Sequence, residues 1–190
     1  MLKYLRRYST EMNTGISLGK DCDSAIYGVK NNIRMRNENN YKTCPFDLCV
    51  TNLKGVVECI KDDFKYFCDP DYLAVINYSN NDLPVKNAIY GEELIKNTYY
   101  NFLFNHESPG HTTFYTTQKW ADGKYHFVNN NFKLFIERYK RRIDNFRNYL
   151  RIPDNRITFI LKKEADETLD ELNAVLSEKY PGLSYKILVI

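Results

Sequence analysis

The cysteine in the stretch ISLGKDCDSAIYG, Ile16 to Gly28, follows a glycine turn and precedes a segment of helical character. If ISLG is a strand and the helix begins near Asp21, Cys22 falls in the first helical turn. Unpaired N–H groups and the positive end of the helix macrodipole favour an anion there. A thiol so placed can drop from about 8.5 to somewhere between roughly 3.5 and 7.5. Asp21 and Asp23 flank it and oppose that drop by like charge, and either can instead cap the helix. The competing reading is a small buried cysteine with a packing role. Ser17 and Gly19 sit in the same strand–turn–helix, which in a Rossmann-like fold faces the ligand crevice at the strands' carboxyl ends.

Arg141 and Arg142 are the next candidates. Adjacent helical residues point about 100° apart, so both cannot face one ligand squarely. One can pair with a neighbouring element while the other clamps a carboxylate or phosphate; a solvated basic face is the alternative. NHESPGH carries His106, Glu107 and His111, but the histidines are five apart with Pro109 and Gly110 between them. The metalloprotease motif needs them four apart on one helical face, so a polar loop is expected. Cys44, Cys49, Cys59 and Cys68 lack the two-residue spacing of a zinc site. Cys59 reads as part of a helix's apolar face. Neither metal nor cofactor is expected.

These residues need elements to hold them. RITFILKK, Arg156 to Lys163, is a short β-branched and aromatic run suited to a buried strand. Leu169, Leu172, Leu176 and Tyr180 follow at helical spacing, stopped by Pro181 and Gly182, and LSYKILVI closes the chain as a second strand. Strand, helix and strand describe a βαβ unit with parallel neighbours. Upstream, Phe132, Phe135, Ile136, Tyr139, Ile143, Phe146 and Leu150 recur at steps of three and four, which predicts one long helix ending before Pro153. TGISLG predicts a strand and DCDSAIYGVKNN a helix. CPFDLCVTNLKGVVECIKDDFKYFCDP predicts a turn and a helix through Leu53, Val56, Val57, Ile60 and Phe64. From Asp69 to Tyr125 the pieces YLAVINYS, AIYG, TYYNFLFNHESPGHTTFY and KYHFV fit short strands or loops. With no repeat or linker, residues 1–190 are expected to form one α/β domain, a mostly parallel sheet ending in the βαβ unit.

The 190 residues suit one domain with a sizeable core. A net charge of +3 is too weak to argue for nucleic acid. No apolar run is long enough for a bilayer, and MLKYLRRYSTEMNTG has no apolar h-region. Five cysteines with no secretory signal point to reduced thiols and a cytoplasmic setting.

Taken in order, ISLGKDC, CPFD at Cys44 to Asp47, YHF at Tyr125 to Phe127, ERYKRRIDNF at Glu137 to Phe146 and ITFIL resemble one pattern. The sequence is similar, from Ile16 to Leu161, to a family of bacterial and viral domains of unknown function grouped with papain-like cysteine peptidases. That family shows Ser-Leu-Gly-x-x-Cys, Pro-Phe-Asp, a His before a long helix, and a Tyr-x-Arg-Arg helix. The resemblance implies Cys22 as nucleophile and His126 as general base of a cysteine-dependent hydrolase or peptidase, acting on an amide, ester or isopeptide carbonyl. Asp47, with Asn129 or Asn130 as alternatives, would orient the imidazole. The substrate would be a protein or small molecule, with a homodimer as an open arrangement. Viral relatives extend the expected location to the host cytoplasm or a virion. Papain-like folds are α+β, so that architecture stands as the alternative to α/β. Two other functions remain open: a non-catalytic module binding an anionic or nucleotide-like ligand through Ser17, Gly19 and an arginine, and an inactive structural or virion protein.

Overall fold

Five of the six residues of RITFIL are buried, as a strand covered on both faces requires. The computed structural model describes residues 13–111 and 120–190. It places this strand, β5 (Arg156–Leu161), at the centre of a parallel sheet. On one side lies β1 (Asn13–Ser17), with Ile16 opposite Phe159. On the other lies β6 (Ser184–Val189), with Ile187 opposite Phe159. The helix between β5 and β6, Asp170–Lys179, supplies the expected βαβ unit and buries Leu172, Val175 and Leu176. The fold is α/β.

The middle third departs from a single, mostly parallel sheet. Strands β2 (Leu73–Asn77), β3 (Glu93–Asn97) and β4 (Phe102–Leu103) form a separate antiparallel sheet. Among the described residues, the isolated bridge that joins it to the rest of the chain is Val50 with Leu103. AIYG is a turn, reversed at Gly91 with φ +88°. KYHFV is no strand either: Gly123–Tyr125 is one 3₁₀ turn, with Gly123 at φ +58°.

Four helices complete the described chain: α1 (Asp23–Lys30), α2 (Leu53–Lys61), α3 (Asn129–Arg151) and α4, the helix between β5 and β6. Helix α2 stops short of Phe64. Asp63 and Phe64 turn left-handed, and the Phe64 N–H reaches back to the Cys59 carbonyl at 2.8 Å. Phe64 stays in the core nonetheless, beside Phe46 and Phe146. The stripe predicted on α3 is present: Phe132, Phe135, Tyr139, Ile143, Phe146 and Leu150 are buried, and Ile136 is half-buried. Its opening residues Asn130, Asn131 and Phe132 have left-handed angles. Among the described residues, no helix is long and apolar enough to cross a membrane.

Candidate active site

The turn after β1 is built from hydroxyls. Leu18 N–H continues the ladder onto the Ile160 carbonyl at 2.9 Å. Gly19 then adopts φ +93°, donating its N–H to Ser17 Oγ at 3.1 Å. Thr51 Oγ1 accepts the Lys20 N–H at 2.7 Å, and Ser24 Oγ donates to the Gly19 carbonyl at 2.8 Å. A Cβ on Gly19 would stand 2.2 Å from Thr51 Oγ1, so no larger residue fits. Ser17 and Gly19, read as candidate ligand contacts, are both buried and shape this turn. Thr51 has no local sequence signature, since its role depends on a segment 31 residues away.

The turn delivers Cys22 to the N-cap of α1, one position earlier than the first helical turn. Asp21 caps instead, accepting the Asp23 N–H at 2.8 Å. The thiol is half-buried. Burial pushes its pKa above the ordinary 9.0, Asp21 and Asp23 add to that, and Lys86 opposes it. Burial first, and the flanking carboxylates after it, therefore favour the protonated thiol. Lys162 Nζ binds both carboxylates, at 3.1 Å from Asp21 and 3.2 Å from Asp23. A crevice of about 630 Å³ opens here, at the carboxyl ends of β1 and β5, lined by Asp21, Asp23, Lys162 and Leu161 among others.

Asp47 lies elsewhere. Its fully buried carboxylate accepts the Cys44 N–H at 2.7 Å and the Tyr41 hydroxyl at 3.1 Å, with Arg34 Nη1 at 3.3 Å. Burial raises its pKa against the pull of Arg34, the Cys44 N–H and Tyr41. Cys44 belongs to the 44–48 turn, Tyr41 and Arg34 close on the carboxylate from outside it, and none of these contacts is to His126.

The arginine pair divides as adjacent helical residues must. Arg141 is exposed and Arg142 is buried. Arg142 Nη1 sits 3.1 Å from Glu107 Oε1, and Arg138 Nη1 donates to the same oxygen at 2.9 Å. The Tyr139 hydroxyl donates to the other oxygen at 3.0 Å. Glu107, read in the sequence as part of a polar loop, is fully buried. No local signal pointed to it, since its partners lie 31 or more residues further along the chain.

The histidines form two groups. His126 Nδ1 lies 3.7 Å from Asp122 Oδ2, and its ring stacks on Trp120 with centroids 5.8 Å apart. The exposed Asn129 and Asn130 begin α3 next to it in sequence. His106 and His111 face each other at 5.6 Å between ring centroids, and burial lowers the pKa of both. Among the described residues no hydrogen bond or ion pair joins Cys22 to a histidine. The two groups differ in one respect. Val85 and Lys86 line the crevice beside Asp21 and Asp23, and they also line a small cavity with Asn105 and His111. His126 lines neither, and Cys22 itself stands between Asp21 and Asp23 without lining the crevice.

A family model described as "Putative papain-like cysteine peptidase" matches residues 13–190. The chain belongs to that family. No curated protein and no solved structure matches it. The match spans the turn, the crevice, both buried ion networks and the βαβ unit.

Proposed function

We propose that the protein is a cysteine-dependent hydrolase acting on an amide, ester or isopeptide carbonyl, with Cys22 as its nucleophile. The observation that carries this reading is the hydroxyl-braced turn at the carboxyl edge of the parallel sheet, which holds Cys22 between Asp21 and Asp23, two residues that line the crevice. Family membership agrees with it.

A thiol raised above 9.0 is a weak nucleophile at rest, so attack needs a base that removes the proton as the carbon–sulfur bond forms. Burial lowers the pKa of His106 and His111, which favours the neutral form that accepts a proton, and His111 shares the Val85–Lys86 wall with the crevice. We assign the base to this pair. The imidazolium then protonates the leaving amine or alcohol, and water releases the acyl group from sulfur. Asp47, by contrast, is read as a structural residue.

A second reading keeps His126 as base, with Asp122 orienting its ring in place of Asp47; the 3.7 Å approach favours it. Replacing His106, His111 and His126 singly by Gln, and following p-nitrophenyl acetate hydrolysis against pH, separates the two. Loss of about 10²-fold or more on changing His106 or His111, with His126→Gln near wild type, supports the first reading. The reverse pattern overturns it in favour of the second. Full activity in Cys22→Ala overturns both.

A further inference from the structure

Asp21 and Asp23, on either side of Cys22, are met by lysines from two separate parts of the fold. Lys162, just past the end of β5, donates to Asp21 Oδ2 at 3.1 Å and to Asp23 Oδ2 at 3.2 Å. Lys86, from the loop between β2 and β3, approaches the other Asp23 oxygen, Oδ1, at 3.8 Å. The two lysines are held differently. Lys162 bridges both carboxylates at hydrogen-bond distance, whereas the Lys86 side chain is 69% exposed and makes one long approach. Its backbone is braced by the residue before it: the Val85 N–H donates to the Tyr78 hydroxyl at 2.9 Å, and Val85 packs with Tyr78, Leu94 and Leu103. A fixed loop thus carries a free-swinging cation to the start of α1.

Lys86 also stands where the two parts of the proposed reaction meet. It lines the crevice with Asp21 and Asp23, and it lines the small cavity with Asn105 and His111. We infer that Lys86 is a positioning residue of the proposed hydrolase, whose ammonium offsets the Asp23 carboxylate and favours negative charge on the Cys22 sulfur as attack begins. This rests on the reading of Cys22 as nucleophile. The balance of forces on the thiol agrees with it: burial, Asp21 and Asp23 favour the protonated form, while the backbone and Lys86 favour the ionised one. Lys86 acts through charge, so it needs no contact with sulfur. Lys162 is committed to both acids and is a fixed part of the site, which leaves Lys86 as the cation whose side chain can follow the developing charge.

The test reads the charge at residue 86 apart from its packing. Wild type, Lys86→Met, Lys86→Arg and Lys86→Glu are alkylated with iodoacetamide across a pH series at low and high salt, and modification of Cys22 is followed by peptide mass mapping. At low salt near pH 8, Lys86→Met should react about twofold more slowly than wild type, the effect of one exposed charge. Lys86→Glu should be slower again, and Lys86→Arg should match wild type. High salt should bring the variants together with wild type, because exposed charges are screened. Profiles that ignore the charge at residue 86, or a shift in Lys86→Arg as large as that in Lys86→Met, would overturn the inference. Acylation of Cys22 by p-nitrophenyl acetate in wild-type protein is a separate measurement: its absence removes the nucleophile, whereas unchanged alkylation profiles remove Lys86 alone.

Discussion

Thr51 Oγ1 holds the Lys20 N–H at 2.7 Å and stands where a Cβ on Gly19 would have to go. One hydroxyl therefore fixes both the path and the composition of the turn that presents Cys22. Thr51→Val keeps the shape but removes the acceptor, leaving the Lys20 N–H unpaired at a cost of about 1–3 kcal/mol. Thr51→Ser restores the bond and should recover most of that loss. Urea midpoints measure the stability, and Cys22 alkylation by iodoacetamide at fixed pH measures the turn. If Val and Ser variants match wild type in both, the turn is held by something else.

The Glu107 carboxylate is fully buried, with Arg138, Arg142 and Tyr139 all on it. Glu107→Gln leaves two guanidinium groups facing a neutral amide. Removing one partner of a buried charge network typically costs about 3–5 kcal/mol. Arg141→Ala, on the exposed neighbour, should change stability by less than about 0.5 kcal/mol. Chemical denaturation checks both, and comparable losses in the two variants would contradict the assignment of Arg142 as the structural member of the pair.

At Asp82 burial works against ionisation, but the Lys96 ammonium at 2.7 Å, the Ser79 hydroxyl and the Ser79 N–H outweigh it and hold the carboxyl below its ordinary 3.8. A depressed folded-state pKa adds stability that is fully present above the unfolded value and is lost as pH falls through the folded one. The difference in unfolding free energy between wild type and Asp82→Asn should be constant from neutral pH down to about 5, then shrink below 3.8. A difference that grows on acidification would contradict the direction of this shift.

The parts of the fold that could be read from the chain were those written in local periodicity. The Phe132-to-Leu150 stripe, the βαβ unit and the β1–α1 turn all lie within short windows, where spacing alone specifies the element. The antiparallel sheet was not legible, because β2 and β3 are five residues each and lie fifteen residues apart across a Gly-, Pro- and Asn-containing loop. The site behaved similarly. Cys22 stood out through its glycine turn, and Arg142 through its neighbour. Thr51 and Glu107 owe their roles to partners 31 or more residues distant. No local rule identifies such residues, since their chemistry exists only once the chain has folded. Asp47 illustrates the converse: a motif residue bonded to the Cys44 N–H of its own buried turn and to Arg34 and Tyr41 just upstream.

The thiol of Cys22 titrates above 9.0 because of burial and its two acidic neighbours. Its alkylation by iodoacetamide should therefore rise through pH 9 without a plateau at neutral pH. Neutralising the flank with Asp21→Asn and Asp23→Asn should move that profile toward lower pH, since like charge favours the protonated form. An unchanged profile in both variants would mean that burial alone sets the shift.

Acyl transfer to sulfur tests the central claim most directly. Wild-type protein is mixed with p-nitrophenyl acetate, quenched in acid and mapped by mass spectrometry. Of the five cysteines, Cys44, Cys49 and Cys59 are buried, so Cys68 is the internal control for a partly accessible but unassisted thiol. An acetyl group on Cys22 that forms faster than on Cys68 and disappears on standing is the expected result. Acetylation that spares Cys22, or that marks it no faster than Cys68, would contradict Cys22 as the nucleophile.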